Sequence, residues 1–390
     1  MKKVLVLDAN QRSALAASRS LGRHRVPLIT ADECPAALAG SSRYSLKYYI
    51  YPSPQQEPAA FITAIAELCK QEAIKIIMPM TELTAALLLA ERDNLPEITL
   101  PFAGIATVNS LADKCSLMRL AESLDIPVPK TWYAENAGEL PVALDTLDYP
   151  LVLKPGKSWL EHGGKWLHTS VRIASSSAEA EDLLNSDPAF AADPFMLQEY
   201  LPGKGEGVFT LYNSGKSLAF FAHQRLREKP PRGGVSVLSE SRMVDPELLS
   251  YSRKLLDHAN WHGVAMVEFR VTPEGKPYLM EINTRFWGSL QLAIDAGVDF
   301  PWLLYQLSCG KTIDSDTSYQ TGKRLRWFLG DLDSLYLTLR DDDYSAMEKL
   351  RSVINFLVPH PLITRHEVNR LGDINPFFQE LKQYIKDLSS

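Results

Sequence analysis

The stretch from Val264 to Gly288 constrains the fold of this chain most, because it sets two glutamates opposite each other in a regular hairpin. The segments 264–271 and 278–283 have the composition of strands, and the Pro/Gly turn between them predicts a hairpin. A loop of two or four residues gives one register, in which Val271 faces Tyr278, Arg270 faces Leu279 and Glu268 faces Glu281. The sequence therefore predicts two carboxylates as direct cross-strand partners.

The opposed carboxylates of Glu268 and Glu281 require a counter-charge. Directly opposed Cβ atoms lie about 4.5 to 5.5 Å apart, so two ionised glutamates there repel each other unless a cation lies between them. Asn283 stands two residues beyond Glu281 on the same face, and this set of oxygen ligands suits Mg²⁺. Arg285 would neutralise an anion bound to that metal. The alternative is a solvated hairpin face that carries a chance pair of glutamates.

The residues E-F-R at 268–270 and E-I-N-T-R at 281–285 resemble the metal-binding end of the ATP-grasp superfamily. The longer segment 281–301 looks like the branch of predicted carboxylate-amine ligases, also called carboligases. The resemblance implies ATP and Mg²⁺ as cofactors, with one or two ions and Mn²⁺ as a substitute. It also implies an acyl-phosphate route that joins a carboxylate to an amine and releases ADP and phosphate.

The resemblance further implies a set of ATP-binding residues upstream, and the chain offers each part in the expected order. A lysine near the start of the ATP-grasp region corresponds to Lys114, and the strand 151–153 would carry Lys154 out of the interior. A flexible glycine-rich loop corresponds to 156–166, although Trp159 and His162 depart from the usual small residues. The resemblance also implies a hinge that holds adenine and ribose, which corresponds to 198–201 and is followed by Glu206. The implied nucleotide ligands are Lys114, Lys154, Ser158, Gly163, Gly164, Gln198, Glu199, Tyr200, Leu201 and Glu206. Since phosphoryl transfer depends on positioned positive charge, Lys154, Arg225 and Arg285 are the expected catalytic residues.

A cation-rich stretch before Gly234 is the candidate for substrate recognition. Arg225, Arg227, Lys229 and Arg232 stand beside an Arg-Gly-Gly turn. Arginine binds carboxylates and phosphates bidentately, so this cluster would suit an anionic substrate, with Arg232, Gly233 and Gly234 near the acceptor. The alternative is a solvated run of charges at a strand edge. Trp287 and Gly288 would wall the substrate pocket, unless the tryptophan belongs to the core.

The N-terminal segment has the pattern of an open α/β sheet. Segment 3–7 reads as a strand, 13–21 as a helix ending at Gly22, and 27–31 as a second strand. The turn at 8–12 lacks G-x-G-x-x-G, which argues against a dinucleotide-binding domain. Thr81 and Glu82 stand where a strand meets a helix, a common position for ligand contacts in such sheets. The alternative for Thr81 is a simple helix N-cap.

These elements, together with the resemblance, imply α/β and α+β architecture in three regions. Residues 1–111 would form an N-terminal open parallel α/β domain of the kind that precedes ATP-grasp regions. Residues 112–312 would form the two α+β subdomains of an ATP-grasp fold, divided into 112–195 and 196–312, with a helix at 112–124 opening the region. Residues 313–390 would form a mostly helical C-terminal extension packed on the main body.

Composition limits the classes of function. A net charge of −6 without a basic run gives no support to a nucleic-acid surface, and no apolar stretch reaches the length needed to span a bilayer. The four cysteines lack C-x-x-C spacing, so neither a zinc site nor a disulfide framework is indicated. Composition thus favours a cytoplasmic protein and leaves monomer and homodimer open, while small-molecule carboxylates and amines as substrates are what the resemblance implies.

Two other functional classes stay open at this point. Another ATP-grasp chemistry, such as kinase-type phosphorylation or carboxylation with bicarbonate, would use the same residues without an amine. A non-catalytic ATP-binding regulatory protein would fit the altered glycine-rich segment, but it gives no reason to keep the opposed carboxylates.

Overall fold

A computed structural model describes residues 1–191, 193–231, 233–314, 318–358 and 363–389 of the chain. The first region is a four-stranded parallel sheet in the order β3-β2-β1-β4, covered by helices. Its elements are β1 (Val4–Val6), α1 (Arg12–Arg23), β2 (Leu28–Asp32), β3 (Tyr48–Ile50), α2 (Pro58–Gln71), β4 (Ile76–Met78) and α3 (Glu82–Ala90). The parallel pairing of β1 with β2 confirms the predicted βαβ unit. The first helix does not end at Gly22 as predicted, but continues to Arg23.

Two helices connect this sheet to the next region, where the sequence predicts a single helix at 112–124. These are α4 (Ile105–Ala112) and α5 (Lys114–Ser123). The break falls at Asp113, whose Oδ1 accepts a hydrogen bond from Ser116 N at 2.8 Å and so caps α5. Lys114 is therefore the first residue of a helix that starts at the border of the two regions.

The second region contains a four-stranded antiparallel sheet in the order β5-β10-β6-β9 and a separate two-stranded hairpin. Its elements are β5 (Thr131–Ala134), β6 (Leu151–Pro155), β7 (Trp159–His162), β8 (Lys165–His168), β9 (Arg172–Ala174), α6 (Ser177–Ser186) and β10 (Phe195–Glu199). The register partners Leu153 of β6 and Leu197 of β10 are fully buried. This packing fixes the strand that carries Lys154.

The third region is a seven-stranded sheet in the order β15-β14-β11-β12-β13-β16-β17. Its elements up to residue 308 are β11 (Lys204–Asn213), β12 (Lys216–Lys229), β13 (Val235–Arg242), α7 (Pro246–His258), β14 (Gly263–Val271), β15 (Pro277–Asn283), α8 (Leu290–Ala296) and α9 (Phe300–Ser308). The long antiparallel strands β11 and β12 form the middle of the sheet, and β14 and β15 form the edge that faces the second region.

The C-terminal end is helical, but it also completes the large sheet. It contains β16 (Arg324–Arg326), α10 (Phe328–Arg340), α11 (Ala346–Leu357), β17 (Thr364–His366) and α12 (Asn375–Ser389). Strand β16 pairs with β13, and β17 pairs in parallel with β16, which the predicted helical extension did not include. The fully buried Arg19 of α1 donates to Asp373 Oδ2 at 2.8 Å, so the C-terminal end is also tied to the first sheet. The fold class inferred from sequence is confirmed, with these two added strands.

Among the described residues, no helix is long and apolar enough to cross a membrane. All four cysteines are free thiols.

Candidate active site

The hairpin of β14 and β15 brings Glu268 and Glu281 together as register partners, as the sequence predicts. The register nearer the turn differs from the prediction, since Val271 faces Pro277 and Arg270 faces Tyr278. A β-bulge reconciles the two: Phe269 pairs with Leu279 and Glu268 with Glu281, which leaves Met280 without a partner. The five-residue turn shifts the register by one, and the bulge shifts it back before the glutamates.

Both carboxylates are bridged by the side chain of Asn283. Its Nδ2 donates to Glu268 Oε1 at 3.0 Å and to Glu281 Oε1 at 3.1 Å. Glu268 is held from its other side by Arg225, whose Nη2 donates to Oε2 at 2.8 Å. Burial, followed by the charge of Glu281, raises the pKa of Glu268, and Arg225 opposes that shift. The pair therefore attracts positive charge.

The donor set at this end fits a divalent cation. Two carboxylates and one amide within hydrogen-bond distance of one another provide the hard oxygen ligands that Mg²⁺ prefers. Asn283 would have to turn its amide so that Oδ1, rather than Nδ2, faces the ion. The ion pair between Arg225 and Glu268 balances negative charge of the two carboxylates with a side chain of the protein itself.

Two lysines approach the same carboxylates from the second region. Lys114 donates from Nζ to Ser158 Oγ at 3.1 Å, and its Nζ lies 4.0 Å from Glu281 Oε2. Lys154 does not emerge from the interior as predicted but is 9 % exposed, with its Nζ 3.8 Å from Sδ of the bulged Met280. Burial lowers the pKa of Lys154 to about 8, while Glu281 opposes the shift. Since β10 pairs with β6, the hinge at 198–201 begins at the end of β10, the strand beside the one that carries Lys154.

The hinge residues are held mainly by their own region. Gln198 donates from Nε2 to Thr131 Oγ1 at 2.9 Å, while its buried Oε1 has no hydrogen-bond partner among the described residues. Glu199 Oε1 accepts from Lys130 N at 2.8 Å, and Tyr200 is 45 % exposed. On β11, Glu206 Oε1 accepts from Arg242 Nη1 at 2.8 Å. Leu201 follows in the connection between β10 and β11.

The predicted flexible glycine-rich loop is instead the β7–β8 hairpin. Gly163 and Gly164 form its turn with φ of 58° and 76°, the left-handed values that favour glycine at both positions of a two-residue hairpin turn. Trp166 N donates to Gln55 O at 3.0 Å, so the hairpin rests on the N-terminal region. Ser158 lies at its base beside Lys114, whereas the two glycines lie at its tip.

A cavity of about 310 Å³ lies where the three regions meet. It gathers eight of the residues predicted from sequence, namely Thr81, Glu82, Lys114, Ser158, Glu281, Asn283, Arg285 and Gly288. Thr81 is the N-cap of α3, with its hydroxyl accepting from Thr84 N at 3.3 Å, which confirms the alternative given for this residue; a ligand contact by Thr81 stays a prediction. Arg285 uses Nη1 to donate to Phe286 O at 2.9 Å.

Sequence reasoning missed Gln11, Ser13 and His168, which line the same cavity. The first two lie at the start of α1 in the turn after β1, the position where open α/β sheets bind ligands, so that turn held the signal. The turn is fixed by the buried Asp8, whose Oδ2 accepts from Met80 N and Thr81 N, both at 2.8 Å. Burial raises the pKa of Asp8 despite these bonds.

Most of the predicted cation cluster does not face this cavity. Arg227 donates to both carboxylate oxygens of Asp331 at 2.6 Å, and Lys229 pairs with Asp333, so both are bound to α10 rather than free for an anion. Arg232 lies outside the described residues. Gly233 and Gly234 form the bend between β12 and β13, and Gly234 O accepts from Arg225 Nη1 at 3.4 Å.

Trp287 does not wall the cavity but belongs to the core. Its exposed fraction is 3 %, and the centroid of its ring lies 4.4 Å from that of Phe209 and 5.1 Å from that of Phe300. The neighbouring Gly288 does line the cavity, and a Cβ at this position would lie 3.1 Å from Arg12 Nη2.

Residues 191–329 match the model of a family described as ATP-grasp in the biosynthetic pathway with Ter operon. The structure superimposes on a biotin carboxylase complex from Campylobacter jejuni with a TM-score of 0.67, covering 83% of this chain and 74% of that one at 17% identity. The chain has the ATP-grasp fold. The superfamily resemblance noted in the sequence is thereby confirmed.

Two further proteins are similar to this chain. An L-amino acid ligase from Bacillus licheniformis superimposes with a TM-score of 0.60 over 80% of this chain and 75% of that one, at 16% identity. The large chain of an arginine-specific carbamoyl phosphate synthase from Geobacillus stearothermophilus is 21% identical over 261 residues. That match covers 65% of this chain and 24% of the synthase chain, so this protein spans about a quarter of the curated relative.

Proposed function

We propose that this protein is an ATP-dependent ligase that joins a carboxylate to an amine through an acyl phosphate and releases ADP and phosphate. The observation that carries the proposal is the cavity in which Lys114, Glu281, Asn283 and Arg285 meet. Cations and oxygen ligands that line one cavity are what a triphosphate with its metal requires.

The proposed roles follow from the contacts. Glu268, Glu281 and Asn283 would hold Mg²⁺, which supplies charge neutralisation for the β- and γ-phosphates. Lys114, Lys154 and Arg285 would bind the phosphate oxygens, and the hinge from Gln198 to Leu201 with Glu206 would hold the adenosine. Arg225 would pass from Glu268 to an anionic group once the carboxylate has a metal to bind.

The chemistry proceeds in two balanced steps. A substrate carboxylate oxygen attacks the γ-phosphorus, an O–P bond forms, and ADP leaves with the electron pair of the broken P–O bond. A neutral amine then attacks the acyl carbon, a C–N bond forms, and phosphate leaves with the electron pair and takes up the proton lost by nitrogen. The β7–β8 hairpin docked on Gln55 would keep water from the acyl phosphate between these steps.

The test is ADP and phosphate release from Mg²⁺-ATP with pooled amino acids and small carboxylates, with hydroxylamine as the trapping amine. Hydroxamate formed together with ADP, and lost in Glu281→Gln, is the expected result. ADP formed with bicarbonate or a hydroxyl compound, without hydroxamate, would assign a carboxylase or kinase chemistry instead. ATP binding without ADP release in any pool would contradict the ligase and favour a regulatory nucleotide-binding protein.

A further inference from the structure

A second cavity, of about 290 Å³, adjoins the first and has a different chemical character. It lies between the β7–β8 hairpin and the helices α3 and α4 of the N-terminal region. Glu82, Ala112 and Trp159 line both cavities, so a molecule in the second would reach the wall of the first. None of the roles assigned above uses this space.

The charge in the second cavity is negative. Four carboxylates line it, those of Glu82, Asp113, Glu161 and Asp193, against the single cation of Lys157. Asp113 uses Oδ1 to cap α5, while Glu82, Glu161 and Asp193 make no side-chain hydrogen bond or ion pair within the described part of the chain. Four carboxylates with one lysine leave a local excess of negative charge that a bound cation would reduce.

The hairpin adds aromatic surface to this charge. Strand pairing sets Trp159 opposite His168 and Glu161 opposite Trp166, so these four side chains share one face of the hairpin. Both tryptophans and Glu161 line the second cavity. Indole rings attract organic cations through their faces and also pack against methylene chains.

The carboxylates are arranged for an extended cation rather than a metal ion. In the described ranges no group of three or more His, Cys, Asp or Glu residues could hold a metal. The acidic groups come from four separate parts of the chain, namely α3, the N-cap of α5, the hairpin and the segment before β10.

We infer that the second cavity is the subsite for the amine substrate, and that this substrate is a cationic amine without a carboxylate, of the diamine or polyamine class. The inference rests on the proposed ligase function. A zwitterionic amino acid would set its own carboxylate against this acidic wall, whereas a second ammonium group would be attracted to it. The reacting ammonium would pass one proton to Glu82 at the shared wall, and the neutral nitrogen would then attack the acyl carbon as described above.

The first experiment compares amines in the ligase assay, once hydroxamate formation has identified an acid. The probes are 1,4-diaminobutane and spermidine, against alanine and glutamate, each over a range of concentrations. We expect kcat/KM to be at least about tenfold higher for the diamine than for either amino acid, since tenfold corresponds to one favourable ionic contact of about 1.4 kcal/mol. Equal or better use of the amino acids would overturn the inference and leave the ligase proposal standing.

The matched variants are Glu161→Gln and Asp193→Asn, with Glu181→Gln on the exposed face of α6 as the control. We expect KM for 1,4-diaminobutane to rise about tenfold in the first two variants and to stay unchanged in the control. KM values that change alike in all three, or in none, would overturn the inference.

A binding measurement separates this inference from the ligase proposal. Titration of the wild type and Glu161→Gln with 1,4-diaminobutane, followed by tryptophan fluorescence, needs no turnover because Trp159 and Trp166 line the cavity. Saturable quenching that is weakened in Glu161→Gln supports the cationic site even if no hydroxamate ever forms. Absence of saturable quenching would overturn the site, whatever the hydroxamate assay gives.

Discussion

Arg225 donates from Nη2 to Oε2 of Glu268 at 2.8 Å, so the carboxylate proposed as a metal ligand is already paired with a cation of the protein. The same guanidinium donates from Nη1 to Glu228 Oε1 at 3.2 Å. A metal between Glu268 and Glu281 would take over the first of these roles. Under the proposed function, the ion pair would therefore link metal binding to the position of Arg225.

The first prediction concerns Arg225→Met. Without metal, the variant leaves two opposed carboxylates with less compensation, and we expect a loss of about 1 to 3 kcal/mol in the free energy of unfolding. Mg²⁺ should restore more stability to the variant than to the wild type. Thermal unfolding in EDTA and in millimolar MgCl₂ measures both effects. The control is Arg324→Met, which breaks an ion pair to Glu240 on the same sheet. An equal response of all three proteins to Mg²⁺ would show that Arg225 and the metal do not share Glu268.

The second prediction concerns Glu281→Gln. The amide removes one of two opposed charges, so the fold should be kept, and stability in EDTA should be equal or higher. ADP formation should fall by at least about 100-fold, because a metal that stabilises the transferred phosphoryl group supplies several kcal/mol. Glu274→Gln, in the turn of the same hairpin, is the control and should keep full activity. Wild-type ADP formation by Glu281→Gln would end the metal assignment.

The sequence predicted the pairing of Glu268 with Glu281, but for an incomplete reason. An uninterrupted hairpin would give that pairing, while the real hairpin has a five-residue turn and a bulge at Met280 that cancel each other. The bulged Met280 contacts a residue far away in sequence, since Lys154 Nζ lies 3.8 Å from its Sδ. No local pattern in the hairpin contains that information.

For the glycine-rich segment 156–166 the prediction was wrong although the local sequence contained enough information. Its signal was local: two glycines stand between W-L-E-H and K-W-L-H, which is the pattern of a two-residue hairpin. The expectation of a flexible loop followed the family resemblance and overrode that pattern. The ion pairs of Arg227 and Lys229 with Asp331 and Asp333 join residues 104 apart in sequence, and so they were hidden from any reading of the stretch itself.

The third prediction tests the β7–β8 hairpin as the element that excludes water. Gly164→Val places a β-branched residue at φ 76°, which costs about 1 to 2 kcal/mol and should loosen the turn. We expect more phosphate released for each amide formed, because an open hairpin exposes the acyl phosphate to hydrolysis. The control is Gly310→Val, which also has φ 76° and open space around it but follows α9, far along the chain from the hairpin. An unchanged ratio of phosphate to amide in Gly164→Val would show that the hairpin does not protect the intermediate.

The last prediction concerns Glu380 of α12, which accepts a hydrogen bond from Trp327 Nε1 at 2.7 Å. Burial raises its pKa to about 7 from an ordinary 4.5, and the bond to Trp327 opposes that shift. The folded protein therefore binds this proton more tightly than the unfolded chain does.

The stabilisation of the folded protein by this proton is complete below about pH 4.5 and is lost as the pH rises to about 7. Above about pH 7 the free energy of unfolding no longer changes through this group. Glu380→Gln keeps an acceptor for the indole and removes the titration, so its free energy of unfolding should exceed that of the wild type by about 3 kcal/mol above pH 7. Near pH 4.5 the two proteins should be equally stable. Urea unfolding at pH 4.5, 6, 7 and 8 measures this difference, with the exposed Glu67→Gln as the control. A difference between Glu380→Gln and the wild type that does not change with pH would mean that Glu380 is ionised throughout this range in the folded protein.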